Sequence, residues 1–372
     1  MKVTVEQSAL LKSLAHVHRV VERRNTIPIL SNVLLRATGG SLQLKATDLD
    51  IEVVETLTAE STLDGAITVP AHTLYDIVRK LSDGAQVSLE TGLDSSQLII
   101  KSGRSRFTLQ ALSEQDFPDM AAGEMTHRFM VPSKDVQRLI EKTQFAISTE
   151  ETRYYLNGIY MHTVDTDAGM MLRAVATDGH RLARSELSAP AGATGMPGVI
   201  VPRKTVAEAL KLVAEHDSEI SVELSTAKIR FVIGNVVLTS KLIDGTFPDY
   251  TRVIPVGNDK RLVVERADFT RSVDRVSTIS SERGRAVKLS LTDGKLTLSV
   301  NNPDAGNAVE EIEVDYDAGN IDIGFNARYL LDIANQLEGD TTLIKLADAS
   351  SPTLILEREG SSTLYVLMPM RV

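Results

Sequence analysis

The chain has 372 residues, with 50 Asp and Glu against 40 Lys and Arg for a formal charge of −10, and it contains neither Cys nor Trp. The lack of cysteine excludes disulfides, thiolate-held zinc, iron–sulfur clusters and thiol catalysis, and it fits a reducing compartment. At a usual ~100–200 residues per domain this length predicts two or three domains, and the 42 % apolar fraction supplies a core for each.

The opening Met1-Lys2-Val3-Thr4-Val5-Glu6 alternates as a strand. Glu6 and Lys12 interrupt any apolar run, so no secretory signal is expected. No run of about 18 apolar residues occurs later, and a soluble cytoplasmic protein without a membrane span is expected. Leu10, Leu11, Leu14, Val17 and Val21 recur at helical spacing and predict a helix over 8–24. Strand alternation follows at Leu42/Leu44 and Ile51/Val53. Ile67-Thr-Val-Pro70-Ala71 then introduces a second helix over 71–81, with Leu74, Ile77, Val78 and Leu81 on one face. Leu98/Ile100 and Phe107/Leu109 alternate before Phe117-Pro118-Asp119, and residues 121–127 have the composition of a linker.

The same order then returns. Helical spacing appears at Val136, Leu139, Ile140 and Thr143 over 133–145, and at Val206, Leu210 and Val213 over 203–215. Ala46-Thr-Asp48 recurs as Ala176-Thr-Asp178, Ile67-Thr-Val-Pro70 as Val199-Ile-Val-Pro202, and Phe117-Pro-Asp119 as Phe247-Pro-Asp249. A second linker is expected at Pro255–Asp259. A diverged third copy has a helix over 266–276, strands at Leu289/Leu291 and Leu296/Leu298/Val300, and Ile321-Asp-Ile-Gly-Phe-Asn326 ahead of a helix over 326–338. The chain is therefore expected to be a threefold repeat with domains at 1–125, 126–256 and 257–372. Each copy would pack two helices on curved antiparallel sheets, an α+β arrangement.

Net acidity counts against a phosphate-rich partner, because affinity for a nucleic-acid backbone comes from basic residues displacing counterions. The charge is not spread evenly, however. Five of the six predicted helices are net positive, and Lys134, Arg138 and Lys142 fall at i, i+4 and i+8, opposite Val136, Leu139 and Thr143. Arg271 and Arg275 repeat that spacing. If the copies close into a ring with helices inward, these faces line a hole in which a duplex is held at many phosphates without base contacts.

Val201-Pro-Arg-Lys204, Arg153-Tyr-Tyr-Leu-Asn-Gly158, Ala176-Thr-Asp-Gly-His-Arg-Leu182, Phe247-Pro-Asp-Tyr250 and Met368-Pro-Met-Arg371 closely resemble the bacterial sliding clamps, the beta subunits of DNA polymerase III. The resemblance runs in order from residue 1 to 372. It implies the DNA clamp fold, closed into a ring as a head-to-tail homodimer of six domains and twelve inward helices. Such a ring encircles duplex DNA without sequence preference and is opened by an ATP-driven clamp loader. It tethers the replicative polymerase and repair proteins through short linear peptides, confers processivity, and has no catalysis or cofactor of its own.

The matched residues carry the implied sites. Arg24, Arg153, Tyr154 and Tyr155 correspond to the DNA-facing region, with Arg203 in the matched Val-Pro-Arg-Lys segment and Lys12, Lys134, Arg138 and Lys142 on the basic helices. Tyr155 either stacks on a base or is partly core. Glu150, Thr246 and His72 depart from the family's usual glutamine, arginine and more basic helix. A peptide pocket is implied at Leu156, Thr177, Gly179, His180, Arg181, Leu182, Pro248, Val253, Val366, Met368, Pro369, Met370 and Arg371. Methionines there suit repacking around varied peptides, Leu156, Val253 and Val366 would supply apolar walls, and Arg181 and Arg371 would hold polar groups of the ligand. The subunit contact is implied at Phe107 and Leu109 on a strand edge, with Thr278 and Ile279 near a helix end.

An enzyme is not expected. Asp165-Thr-Asp167-Ala-Gly169 lacks the remaining positions of an EF-hand loop, and no HExxH, phosphate loop or nucleophile elbow occurs. The alternative to a DNA ring is a repeat-built scaffold that binds peptides only.

Overall fold

The computed structural model describes residues 1–92, 96–120, 123–280 and 285–372. Six α-helices lie among them: α1 Gln7–Val17, α2 Ala71–Arg79, α3 Ser133–Gln144, α4 Arg203–Ala214, α5 Arg266–Ser277 and α6 Ala327–Ala334. Each starts on the residue after a strand ends, and the joining residue explains the switch. Pro70, Pro132 and Pro202 end three of these strands, where a missing N–H is tolerated and φ is preset. Glu6, Glu265 and Asn326 end the other three and accept bonds from the helices' first amides, as Glu6 does from Ser8 N at 3.1 Å and Ala9 N at 3.0 Å.

α1 is shorter than the 8–24 that the apolar spacing predicts. After Val17 a single 3₁₀ turn, His18–Val20, leads to Val21 in extended conformation. The His18 ring shares the Leu14 carbonyl with the His18 backbone N–H, at 2.7 Å, and His72 Nε2 meets the Val21 carbonyl at 2.9 Å, an acceptor that a longer helix would use. Arg23 and Arg24 consequently lie on an exposed loop rather than on the helix. α6 likewise stops at Ala334 instead of running to 338, and the Gln336 carbonyl accepts from the Lys142 ammonium.

The chain sorts into two compact units, Met1–Gln137 with Pro190–Pro197 and Lys204–Leu242, and Arg138–Ala189 with Gly198–Arg203 and Ile243–Val372. Unit one holds a five-stranded sheet in the order Glu60–Leu63, Lys2–Glu6, Gln86–Thr91, Gln97–Ser102, Ser105–Gln110. It also holds an eight-stranded sheet in the order His127–Pro132, Glu219–Leu224, Lys228–Ile233, Val236–Lys241, Ile51–Thr58, Ser41–Thr47, Asn32–Thr38, Gly65–Pro70. Unit two holds an eight-stranded sheet in the order Val199–Pro202, Gly158–Thr166, Gly169–Thr177, Arg181–Ser188, Thr363–Leu367, Thr353–Leu356, Thr341–Leu346, Lys260–Glu265. Its second sheet runs Gly306–Glu313, Lys295–Asn302, Ala286–Thr292, Ile321–Asn326. Pairing is antiparallel at every joint named below.

Both eight-stranded sheets cross a repeat boundary. In unit one Val236–Lys241 pairs with Ile51–Thr58, setting Val237 opposite Val54. In unit two Thr363–Leu367 pairs with Arg181–Ser188, setting Tyr365 opposite Ala183. The sequence repeat and the compact unit are therefore different divisions of the chain. Of the expected linkers, Ala121 and Ala122 lie outside the described residues, Gly123–Thr126 carries no helix or strand, and Pro255–Asp259 separates a 3₁₀ turn from the strand Lys260–Glu265.

Sheet edges are mostly covered by flanking backbone. Leu112 bonds both ways with Thr68, Ile243 N donates to Ile200 O, Asp315 bridges Val263 and Met370 bridges Gly324. Gly192 packs so tightly on Arg128 O that a Cβ would stand 2.2 Å away. Apart from the four-residue Glu60–Leu63, and His127–Pro132 on which Gly192 packs, the edges of Ser105–Gln110 and Gly306–Glu313 have no backbone partner among the described residues.

Candidate functional site

In unit two the recurrent Ala-Thr-Asp segment folds as a side-chain-locked turn. Thr177 Oγ1 donates to Arg181 O at 2.7 Å and accepts from Gly179 N at 3.1 Å. Asp178 Oδ1 accepts from His180 N and Arg181 N at 2.9 and 3.0 Å, and Gly179 supplies the left-handed φ of 88° that the turn requires. The Phe-Pro-Asp motif is a second device. Asp249 accepts from Thr251 N and Oγ1 and from Arg252 Nε, which fixes the 3₁₀ turn Tyr250–Val253 and presents Val253. The Thr251 hydroxyl bond, with the Arg252 charge behind it, holds the Asp249 carboxyl below its ordinary pKa.

Between these turns lies an apolar cavity of about 160 Å³. Its floor belongs to the core cluster of Leu156, Val175, Leu182, Ile200, Phe247, Tyr250 and Val366. Ten of the thirteen residues implied by the sequence line it: Leu156, Thr177, Gly179, His180, Arg181, Leu182, Pro248, Val253, Val366 and Met368. Pro369, Met370 and Arg371 do not; they continue along the tail, where Met370 N donates to Gly324 O at 2.9 Å. Asp249 and Tyr250 also line the cavity and were missed, although both stand beside the Pro248 that pointed to it.

Arg181, in the cavity lining, is also tied to the protein around it. Its Nε meets Asp178 Oδ2 at 3.1 Å, Nη1 meets Asp332 Oδ2 at 2.6 Å, and Nη2 donates to Phe145 O at 2.9 Å. The guanidinium lies 4.3 Å from the Tyr329 ring centroid and 5.1 Å from that of Phe145. Three of its five N–H groups are engaged within the protein, so it braces the turn from the cavity's rim. Burial raises the Tyr329 phenol's pKa, and the Tyr365 phenol is pushed up by the same cause.

The basic candidates separate into exposed and committed groups. Lys12, Arg24 and Arg203 are exposed, and Lys134 is exposed with Asp217 3.6 Å away. Arg138 donates to Ser362 Oγ at 3.0 Å and Glu186 O at 3.2 Å. Lys142 is a correction: its side chain is only 8 % exposed, donates to Gln336 O, and sits 2.7 Å from Glu338 and 3.5 Å from Glu357. Spacing of i and i+8 is 80° off one face, which carries Lys142 from the solvent side into the packed side of α3. Arg271 and Arg275 on α5 are paired with Asp268 and Glu310.

Arg153 pairs with Glu150 at 3.0 Å and packs on Gly179. Tyr154 is 54 % exposed, whereas Tyr155 is half-buried against the core cluster. Phe107 is 38 % exposed and Leu109 half-buried on the open Ser105–Gln110 edge. Thr278 is the C-cap of α5, and Ile279 follows it with its carbonyl held by Asn302 Nδ2 at 2.8 Å.

Asp165–Gly169 forms a hairpin turn locked by Thr166 Oγ1 to Gly169 O at 2.8 Å. No cluster of three or more His, Cys, Asp or Glu suited to a metal occurs among the described residues, and no helix among them is long and apolar enough to cross a membrane.

Tandem repeats of two helices and antiparallel meanders that share sheets across repeat boundaries define a class, the DNA clamp fold. Three family models of the DNA polymerase III beta subunit match in sequence order, the N-terminal domain at residues 1–121, the central domain at 130–249 and the C-terminal domain at 251–371. The beta sliding clamp of Caulobacter vibrioides is 55 % identical and that of Escherichia coli 39 % identical, each covering 100 % of both chains. A sliding clamp from Bartonella birtlesii bound to griselimycin superposes with a TM-score of 0.97 at 56 % identity, covering 100 % of both chains. One from Pseudomonas aeruginosa, also bound to griselimycin, gives 0.95 at 40 % identity and the same coverage. The chain belongs to the DNA polymerase III beta subunit family, the sliding clamps.

Proposed function

We propose that two copies of this chain join head to tail into a ring that encircles duplex DNA in the cytoplasm, is opened by an ATP-driven clamp loader, and tethers polymerases and repair proteins. It is a processivity factor without chemistry of its own. Its domains are the repeats 1–125, 126–256 and 257–372, six to the ring.

The observation that carries this reading is the pair of open strand edges. Twice within the chain, the last strand of one repeat's second meander pairs with the last strand of the preceding repeat's first meander. The same rule applied to the first repeat gives Ser105–Gln110 a partner equivalent to Gly306–Glu313, which a second copy supplies. Two such contacts close a twofold ring and leave neither long edge exposed. Phe107 and Leu109 on one edge, with Ile279 and Thr278 beside the other, form the apolar part of that contact. Charge favours it too, because Arg104 and Arg106 flank the first edge while Glu310, Glu311 and Glu313 lie on the second.

DNA is held electrostatically by Lys12, Arg24, Lys134, Arg138 and Arg203, and Arg153 and Tyr154 meet it at the ring face. Lys142 has no part in this. The apolar cavity takes short linear peptides, whose apolar side chains enter between Leu156, Leu182, Val253, Val366 and Met368. Griselimycin, the ligand of the Bartonella and Pseudomonas relatives, serves as the probe for it.

The test of encirclement is salt. Loaded onto a nicked circle by its clamp loader, the protein stays bound at salt that abolishes phosphate attraction, and it runs off once the circle is linearised. Equal loss from circular and linear DNA as salt rises leaves only simple electrostatic binding, or the peptide scaffold, standing.

A further inference from the structure

We propose that Gly324 is a positioning residue for the cavity: it lets the C-terminal segment moor on the Ile321–Asn326 strand, and that mooring holds Met368 in the cavity wall. The inference rests on the peptide reading of the cavity given above.

Gly324 stands in mid-strand, opposite Lys288 and between the buried Ile323 and Phe325. Its φ is not in the left-handed region, so no turn requires glycine here. A strand-interior glycine then marks close approach of another backbone. That backbone is the tail. A Cβ at 324 would stand 2.5 Å from Met370 O and 2.3 and 2.7 Å from the Val372 methyls. The Val372 methyls are side-chain atoms that can turn aside, but Met370 is held in an antiparallel bridge by its N–H on Gly324 O, so its carbonyl cannot retreat without disturbing that bond.

The tail is anchored at two points. Met368 N donates to His180 O at 2.9 Å and Met370 N to Gly324 O at 2.9 Å. Pro369 lies between them, and its fixed φ makes the link stiff. Displacement at Met370 is therefore passed to Met368, which lines the cavity although Gly324 does not. This gives Met370 and Val372 a role that fits their place outside the lining: they seat the strap that carries Met368.

Four full-length or near-full-length forms decide it: the native chain, Gly324→Ala, a chain ending at Pro369, and the two changes combined. Griselimycin affinity is measured by calorimetry and Met370 amide exchange by mass spectrometry. Gly324→Ala is expected to weaken griselimycin about tenfold. The truncated chain is expected to lose a similar factor, and the combined form no more than the truncation alone, since the methyl acts through the tail. In the full-length variant the Met370 amide exchanges at least about tenfold faster. Additive losses in the combined form, or native affinity in Gly324→Ala, overturn the proposal. Native exchange at Met370 in Gly324→Ala also overturns it, and this readout needs no ligand. Failure of the native chain to bind griselimycin removes the peptide reading separately, while exchange still judges the mooring.

Discussion

Replacing Arg181 with methionine tests whether the cavity's rim is braced from within. The substitution keeps the stem's bulk and removes a guanidinium that bonds Asp178, Asp332 and the Phe145 carbonyl and lies over two aromatic rings. Breaking a buried pair by removing one partner costs ~3–5 kcal/mol. The Asp178 and Asp332 side chains keep 17 % and 31 % of their surface in water, so the abandoned carboxylates are partly solvated. Discounting for that screening leaves ~2–3 kcal/mol. Arg181→Lys retains the charge but loses the fork and the stacking, for ~1–2 kcal/mol. A chain of two units does not unfold in one step, so the readout is local exchange over residues 177–182 and α6. The methionine variant is expected to exchange there ~30–150-fold faster than native, as 1.36 kcal/mol corresponds to tenfold. Combining it with Asp332→Asn should cost less than the two separate losses added together. Exchange within threefold of native in Arg181→Met refutes the brace. So does an Arg181→Lys chain of native exchange that no longer holds griselimycin, because the guanidinium would then serve the ligand.

His16 predicts a pH dependence. Its ring is buried between Glu55 at 2.7 Å and Glu215 at 3.0 Å, so both nitrogens face carboxylate acceptors. Burial opposes the charged ring, but the bonds to Glu55 and Glu215 overcome it and the net pKa is raised. The stabilisation is therefore complete below the ordinary histidine pKa and is lost as pH rises through the raised one. Unit one should melt at lower temperature as pH rises across that window, and His16→Gln should flatten the slope; parallel slopes would falsify the assignment. At the proposed subunit edge, Arg106→Glu sets like charges against Glu310, Glu311 and Glu313. It should raise the dimer dissociation constant about tenfold or more at low salt, by light scattering, with the gap narrowing at high salt. An unchanged constant would mean that these edges do not meet.

How far the sequence could be read depended on whether a motif completes its own geometry. Thr177-Asp178 closes its hydrogen bonds within a few residues and recurs as Thr47-Asp48, so it marked the repeats and, with Phe247-Pro248-Asp249, most of the cavity. Features decided by distant partners were illegible. Nothing near Lys142 announces Gln336, Glu338 and Glu357, and nothing near Arg181 announces Asp332, so the internal pairings of these two cations could not be read from spacing. Sheets shared across repeats were hidden for the same reason, because Val237 and Val54 meet from far apart in the chain. The mooring of Met370 depends on a missing side chain at Gly324, which spacing alone cannot announce.

The counterpart of the Thr177–Arg181 turn in the first repeat is built alike but surrounded differently. Thr47-Asp48-Leu49-Asp50-Ile51 reproduces the locked turn bond for bond, with Thr47 Oγ1 on Ile51 O at 2.9 Å and Asp48 Oδ1 receiving Asp50 N and Ile51 N. Leu49 even takes the left-handed φ, 79°, that Gly179 takes without a steric penalty. The divergence comes one residue later. Where unit two has Leu182 in an apolar wall, unit one has Glu52, buried and 3.0 Å from Lys45 Nζ, with Met120 N donating to it at 3.2 Å. Asp119, which as Asp249 would cap a turn presenting an apolar side chain, pairs with Lys45 at 2.6 Å instead. Such an ion triad ties down the segment after Phe117-Pro118 and puts charge where the other turn has an apolar wall. Making that wall apolar starts with Glu52 and Lys45 together, since removing Lys45 alone strands the buried Glu52 carboxylate, whereas Lys45 without Glu52 keeps Asp119.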